Sequence, residues 1–410
     1  MNILFVSHAA TRGGAAGVLL ELLRTIQQET AHQSTLLTLR PGPLETEFAS
    51  LVTPFPQSAP LRRATLLAGA SRRLTDFSLP RKPFFEETVK RASQLNARVA
   101  RRVARASGRF DWVYANSAAS GDAVRALEPI LSRGSKLLVH VHELAFALSK
   151  CEPGWTFLKR HGDFFIAASG AVRDELINQG ISPQRIEVVY EWLDFSRLET
   201  DKDASRMALM RQIGVPEEAV IIGGCGTMEH RKGTDWWVQS AFHALGVEPN
   251  ARKTPAPLHF AWLGAKDDAY KREIMRDVRG YGIESRVHFL PPSNEPQNFF
   301  AGLDAFCLSS REDPFPLVAV EAAAQSVPTV CFAKSGGAPE LVGQNGGVIV
   351  PWGDCAAMGR ALASLGRDAD FRAQLGRGVH KRALELCDAQ RNCAQVVAIL
   401  ERDARSSKFM

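Results

Sequence analysis

The strongest constraint on this chain is a rhythm of short apolar runs separated by helical or glycine-opened stretches. A first series lies at residues 2–7 (NILFVS), 35–39, 112–115, 136–140, 164–168 and 187–190. A second lies at 220–224, 259–263, 287–290, 305–308, 329–333 and 348–350. Runs this short are strands rather than buried helices, and continuous apolar strands alternating with helices make parallel sheets covered on both faces. At 410 residues the chain is also too long for one ordinary core. The expectation is an α/β chain of two Rossmann-like domains, 1–192 and 193–385, joined through a polar link near 193–219. The last 40 residues read as two helices, and the segment 386–410 is free to return to the N-terminal domain. Residues 41–85, rich in Pro, Ser and Arg, read as a long excursion with little structure.

A hydrophobic fraction of 45% and a charged fraction of 23% are those of a water-soluble globular protein. No apolar run approaches the ~20 residues needed to cross a bilayer. The N-terminus, MNILFVSHAA, has no basic leader and runs straight into a strand pattern. Seven cysteines, an odd number without metal-ligand spacing, fit buried free thiols in a reducing cytoplasm. The net charge of +6 is local: residues 61–110 carry 13 Lys/Arg against three acids, and the rest of the chain is net acidic. A general affinity for nucleic acid is therefore not the source of the basic balance. Within that segment, Val89, Ala92, Leu95, Val99, Val103 and Ala106 fall on one helical face, with Arg91, Arg98, Arg101, Arg102 and Arg105 largely off it. Such a helix either packs on the first domain with its basic side solvated or presents that side to anionic lipid, at ~1 kcal/mol per cation near the surface.

Chemistry concentrates in the second series. The strand at 305–308 leads through the loop 309–316 into a helix at 317–325; the next strand, 329–333, leads through Ser335-Gly336-Gly337 into a helix near Pro339. Two helix N-termini then face one sheet edge, where free backbone N–H groups and helix dipoles suit a phosphate. Asp313 and Glu321, eight positions apart, bracket that edge with two carboxylates. After the strand at 220–224, Arg231 and Lys232 supply a forked donor and a point charge fit for a diphosphate. Each feature has a plain structural alternative: a solvated basic pair, a helix cap, a simple turn. A dinucleotide-binding G-x-G-x-x-G fails because Glu229 stands at the third glycine, which argues against a dehydrogenase. Asn345-Gly346-Gly347 reads as a hairpin-like turn without chemistry. In the first series, Gly13-Gly14 can cradle an anion. His142 lies just past a strand's C-terminal end, and His140 alternates with it toward the sheet.

Taken in order, RGGAAG, HVHE, GCGTMEHRKG, SSREDPFPLVAVEA, SVPTV and SGGAPELV resemble the motifs of glycosyltransferase family 4, a group of retaining GT-B enzymes. The resemblance covers almost the whole chain. It implies two facing Rossmann-like domains with an interdomain cleft, a nucleoside-diphosphate sugar held mainly by the C-terminal domain, and an acceptor held mainly by the N-terminal one. By the same resemblance Glu321 holds the ribose, Asp313 the transferred sugar and Lys232 the diphosphate, with Arg231 as a second cation. His142 would lie near the sugar, and Gly13 and Gly14 near the phosphates. Thr227, Glu312, Pro314, Phe315, Pro316, Leu317, Val318, Gly336 and Gly337 complete the expected donor site.

Two residues depart from the family pattern. The first acid is Asp313, one methylene shorter than the usual Glu and beside Glu312. Thr227 stands where a basic residue is usual, and Arg231 can supply that charge. The implied activity is retaining transfer of a hexose to a glycan or polyprenyl-linked acceptor, as in polysaccharide or lipopolysaccharide assembly, without a divalent metal. The expected location is the cytoplasm, with the inner membrane face if residues 61–110 meet lipid. An epimerase of the same fold and a non-catalytic nucleotide-sugar-binding protein are the alternatives.

Overall fold

A computed structural model describes residues 1–12, 14–55, 109–131, 134–246 and 258–406. Gly13 and nearly all of the basic segment 61–110, with its expected helix at 86–107, lie outside the described residues. The chain divides into two compact units, Met1–Val189 with Ala389–Met410, and Tyr190–Asp388. It therefore crosses between them twice.

Among the described residues, unit 1 holds seven strands: β1 (Asn2–Ser7), β2 (Gln33–Thr38), β3 (Thr53–Pro54), β4 (Trp112–Asn116), β5 (Lys136–Val141), β6 (Phe164–Ala167) and β7 (Ile186–Val188). They form one sheet in the order β3-β2-β1-β4-β5-β6-β7, parallel throughout. Ile3, Leu4, Phe5 and Val6 are wholly buried, as central strands covered on both faces require. The helix Gly14–Glu29 turns Val18, Leu19, Leu22, Leu23 and Ile26 inward at helical spacing.

The helix Ala389–Ser406 packs against Gly14–Glu29 and buries Cys393, Val396, Ile399 and Leu400. Its attachment is polar as well. Trp112 Nε1 donates to Leu400 O at 3.2 Å, and His32 Nε2 lies 3.0 Å from a Glu401 carboxylate oxygen.

The stretch read as unstructured is ordered over its described part. Glu45–Leu51 is helical, and Thr53–Pro54 adds an edge strand beside β2. Phe48 and Phe55 are the reason: both are buried, and two apolar anchors suffice to seat a polar segment. Arg24 fixes it from outside through Glu47 at 2.7 Å. Pro54 is tolerated because an edge strand needs only one of its two hydrogen-bonding sides.

Unit 2 holds β8 (Val220–Cys225), β9 (Leu258–Leu263), β10 (Val287–Leu290), β11 (Ala305–Leu308), β12 (Thr329–Phe332) and β13 (Gly347–Val350). The order is β10-β9-β8-β11-β12-β13, again parallel. Asn345–Gly347 is thus no hairpin. The helix Ala338–Val342 lies between β12 and β13, which gives the chain room to cross back and enter β13 in parallel register. Trp237 meets Trp262 edge-on at 5.4 Å and Phe260 at 5.8 Å in the core beneath the sheet. In each unit the connections diverge on either side of the first strand, between β1 and β4 and between β8 and β11. The crevice beyond the strand ends at such a reversal is where open α/β sheets bind ligands.

Candidate active site

In unit 2 the crevice is built from the two loops that leave β8 and β11. From Cys225 the chain turns through Gly226, the exposed Thr227 and the buried Met228 into a single 3-10 turn, His230–Lys232. Gly233 closes that turn with φ 64°, and a Cβ there would sit 2.1 Å from Ser309 O. Only glycine allows this close approach, which lays the turn directly on the loop after β11.

Hydrogen bonds join the two loops at several points. Arg311 N donates to Arg231 O at 2.8 Å, and Arg231 Nη1 donates to Glu312 O at 3.0 Å. Arg311 Nη1 donates to His230 O at 2.6 Å, and Ser309 Oγ to Lys232 O at 3.1 Å. The guanidinium of Arg311 also forks onto Asp235 at 2.8 and 2.6 Å and lies 3.8 Å over the Trp236 ring. Burial works against the Asp235 carboxylate, but Arg311 outweighs it and holds that carboxyl below its usual range.

At the centre Lys232 Nζ donates to Asp313 Oδ2 at 2.6 Å, with side chains only 15% and 7% exposed. Ser310 Oγ donates to the same oxygen at 3.2 Å. Asp313 caps no helix. Its N–H donates to Ser335 O at 2.7 Å, and Gly337 N–H is shared between Asp313 O and Pro314 O at 3.2 and 3.0 Å. Gly336 stands opposite Asp313 in a parallel bridge, so the glycine turn is stitched to the loop. Phe315 is buried against Tyr190, ring centroids 5.3 Å apart, and the Tyr190 hydroxyl bonds Glu340.

Pro316 precedes the helix Leu317–Ala324, whose partly exposed opening residues are Leu317 and Val318. Their amides have no carbonyl partner within the helix, so its positive end points at the crevice. Glu321, one turn further, is enclosed by protein atoms while part of its surface stays open to water. Burial raises its pKa to about 7. Burial likewise pushes the Cys225 thiol up to about 12; the charge of Glu321 adds to that shift and Lys232 opposes it. Both charges therefore act at the end of β8. In this way Arg231, Lys232, Thr227, Glu312, Asp313, Pro314, Phe315, Pro316, Leu317, Val318, Glu321, Gly336 and Gly337 gather at one sheet edge.

Gly14 and His142 belong to the corresponding edge of unit 1. Gly14 opens its helix with φ +55° and open space where a Cβ would stand. The His142 N–H donates to Glu143 Oε2 at 2.9 Å, and its ring centroid lies 3.9 Å from that of the fully buried His140. Glu143 also accepts from Ala118 N at 3.1 Å and from the Ser117 hydroxyl. Ser117 has φ 103°, a strained backbone for a side-chain residue and one often found at functional edges. His8 joins this group: burial lowers its pKa, Glu143 partly offsets that, and His142 and Arg40 add to the lowering.

His8, Ser117, Glu143, Tyr190, Ser310, Asp235 and Arg311 were not anticipated from the sequence. His8 did carry a signal, as a polar residue directly past the first strand. Arg311 and Asp235 carried none, because their pairing spans 76 positions. Among the described residues no group of three or more His, Cys, Asp or Glu is arranged to hold a metal ion, and no helix is long and apolar enough to cross a membrane.

Two parallel sheets, each with a polar crevice at its switch point, define a GT-B protein, and the chain belongs to the family-4 glycosyltransferases. The profile described as Glycosyltransferase Family 4 matches residues 12–197, and that described as Glycosyl transferases group 1 matches residues 219–368. A D-inositol 3-phosphate glycosyltransferase of Saccharomonospora viridis is 26% identical over 225 residues, 54% of this chain and 51% of that protein. The chain thus spans about half the length of the curated relatives it matches. Among solved structures, Anabaena Alr3699/HepE in complex with UDP and glucose superposes with a TM-score of 0.76 at 19% identity, covering 98% of this chain and 100% of that one. Sucrose-phosphate synthase from Thermosynechococcus elongatus gives 0.71 at 17% identity, covering 99% and 100%.

Proposed function

We propose that the protein is a retaining hexosyltransferase, moving a hexose from a nucleoside-diphosphate sugar to a glycan or polyprenyl-linked acceptor. The observation that carries this reading is the position of Lys232: a cation at the β8/β11 switch point, beside the N-terminus of Leu317–Ala324, with Glu321 one turn into that helix. Cleavage of the anomeric bond leaves negative charge on the diphosphate. Lys232, Arg231 and the Leu317 and Val318 amides are fixed donors for that charge, so the step needs no divalent metal. Glu321 receives the ribose hydroxyls, and Asp313 with Glu312 faces the sugar end. Gly336 and Gly337 let the backbone approach the donor. His142, Gly13 and Gly14 keep the roles that the family resemblance implies for them. The acceptor hydroxyl attacks from the face the diphosphate leaves, with retention.

The solved complexes of Anabaena Alr3699/HepE contain UDP, glucose or UDP-glucose, which makes UDP-glucose the first donor to try. A thermal-shift panel of UDP, GDP and ADP with their hexose conjugates should raise the melting temperature for one base. Product NMR with that donor should then give the donor's own anomeric configuration, with turnover undiminished by EDTA. An inverted product, or epimerisation without acceptor, overturns the proposal; melting shifts without release of diphosphate mark a binding protein.

For the acceptor, the basic residues of 61–110 favour a lipid-linked substrate at the inner face of the cytoplasmic membrane. Sedimentation with vesicles is expected to be strong when they contain anionic lipid and weak when they are neutral. Equal binding to both, or none to either, rules out the charged-surface account.

A further inference from the structure

We infer that the Lys232–Asp313 ion pair is an exchange latch that makes the site prefer intact donor over spent nucleoside diphosphate. The inference rests on the donor-site reading above and assigns Asp313 a role beyond contact with the sugar. Lys232 Nζ is bonded to Asp313 Oδ2 at 2.6 Å while both side chains are largely shielded from water. A diphosphate that engages Lys232 must therefore compete with a carboxylate for its charge.

Asp313 cannot follow. Its backbone is held on both sides by Ser335 and Gly337, and its side chain has a single methylene. Where the bare diphosphate wins that competition, the shielded carboxylate keeps, among the described residues, the Ser310 hydroxyl 3.2 Å away as its partner. An under-bonded buried charge is costly. An intact nucleotide sugar removes the same lysine but brings hydroxyls to the sugar end of the site, where Asp313 can accept one. The donor replaces the partner it takes; the product does not. After transfer, the sugar departs with the acceptor, Asp313 is again short of a partner, and Lys232 is drawn back from the diphosphate. The shorter Asp at this position fits that role, since it keeps the carboxylate against the loop and within reach of Lys232.

Two independent geometries support the latch over a fortuitous surface pair. Four hydrogen bonds other than the ion pair, one of them backbone to backbone, hold the turn 230–233 against the loop 309–313, so the approach of Lys232 to Asp313 does not rest on the pair alone. Arg311, forked onto Asp235 and stacked on Trp236, locks that register from the outer side. These contacts oppose relaxation of either loop toward a new partner for Asp313.

The test is calorimetric titration of UDP and UDP-glucose into wild type, Asp313→Asn, Lys232→Ala and the double variant. Asp313→Asn should bind UDP about tenfold more tightly than wild type and UDP-glucose no more tightly, reducing the preference for donor by about tenfold. In the Lys232→Ala background, Asp313→Asn should leave UDP affinity unchanged. Should Asp313→Asn fail to fold, Asp313→Glu carries the same test, with a smaller gain for UDP as the carboxylate moves off its lysine. An unchanged donor preference in the Asp313 variants overturns the latch. So does an equal gain without Lys232, which would indicate charge repulsion alone. Wild type that binds none of UDP, GDP or ADP, nor their sugars, overturns the donor-site reading itself; a latch failure with normal UDP binding leaves that reading standing.

Discussion

Lys232→Ala is expected to lower turnover at saturating donor about 100-fold or more, the magnitude of losing one fixed donor to a developing oxyanion. The loss should appear mainly in kcat, because leaving-group charge is largest in the transition state. A second effect accompanies it. Lys232 is bonded to Asp313 at 2.6 Å, and its removal strands that carboxylate, lowering stability by about 1–3 kcal/mol. The two effects separate in Lys232→Ala/Asp313→Asn, which should regain much of the stability and none of the turnover. Steady-state kinetics beside urea unfolding reads both quantities. Near-normal turnover in Lys232→Ala would remove the basis of the proposed mechanism.

The second large effect is a pH dependence. Burial raises the Glu321 carboxyl to about 7, whereas an unfolded chain leaves it near its usual value of 4.5. Ribose hydroxyls donate to the ionised form, so binding pulls the pKa down and releases a proton near neutrality. Donor affinity should therefore fall by up to about tenfold per pH unit below 7, levelling off above it. Calorimetry in buffers of different ionisation enthalpy should detect the proton, and Glu321→Gln should flatten the profile while weakening nucleotide binding about 100-fold, as two charge-assisted hydrogen bonds become neutral ones.

The unliganded protein shows the opposite sign. Its folded form holds the Glu321 proton more tightly than the unfolded chain, so this contribution to stability is present below about pH 4.5 and is lost as pH rises through about 7. Nucleotide binding and fold stability thus respond to this carboxyl in opposite directions, and a pH-independent affinity would exclude it from the ribose site.

Much of this was legible in the sequence because apolar runs of strand length leave few alternatives. The run at 305–308 is a strand of just those residues, and the run at 220–224 extends by one residue to Cys225. The helix bearing Glu321 and the glycine turn at Gly336-Gly337 were likewise set by local chemistry. What local chemistry does not encode is pairing across the sheet. Asp313 could be read as a cap or a sugar ligand, but its bond to Lys232 links positions 81 apart. Nor does helical spacing reveal that Glu321 is enclosed far enough for burial to raise its pKa to about 7. The error at Asn345–Gly347 has the same origin: a turn signal gives a bend, while the strand's direction depends on the helix that precedes it. The order of residues 45–55 is hidden because composition does not show that two phenylalanines in a polar stretch, Phe48 and Phe55, are buried.

The double crossing of the chain has a consequence for how the protein is made. A ribosome finishes all of unit 2 before it begins the helix Ala389–Ser406, which covers Gly14–Glu29 and accepts the Trp112 indole. Between Val189 and that helix, synthesis runs for roughly 10–40 s at about 5–20 residues per second. Throughout that interval the older unit waits with an apolar flank uncovered, while the younger one can already close. Unit 1, begun first, is then completed only after unit 2, and its uncovered flank needs protection from aggregation in the meantime.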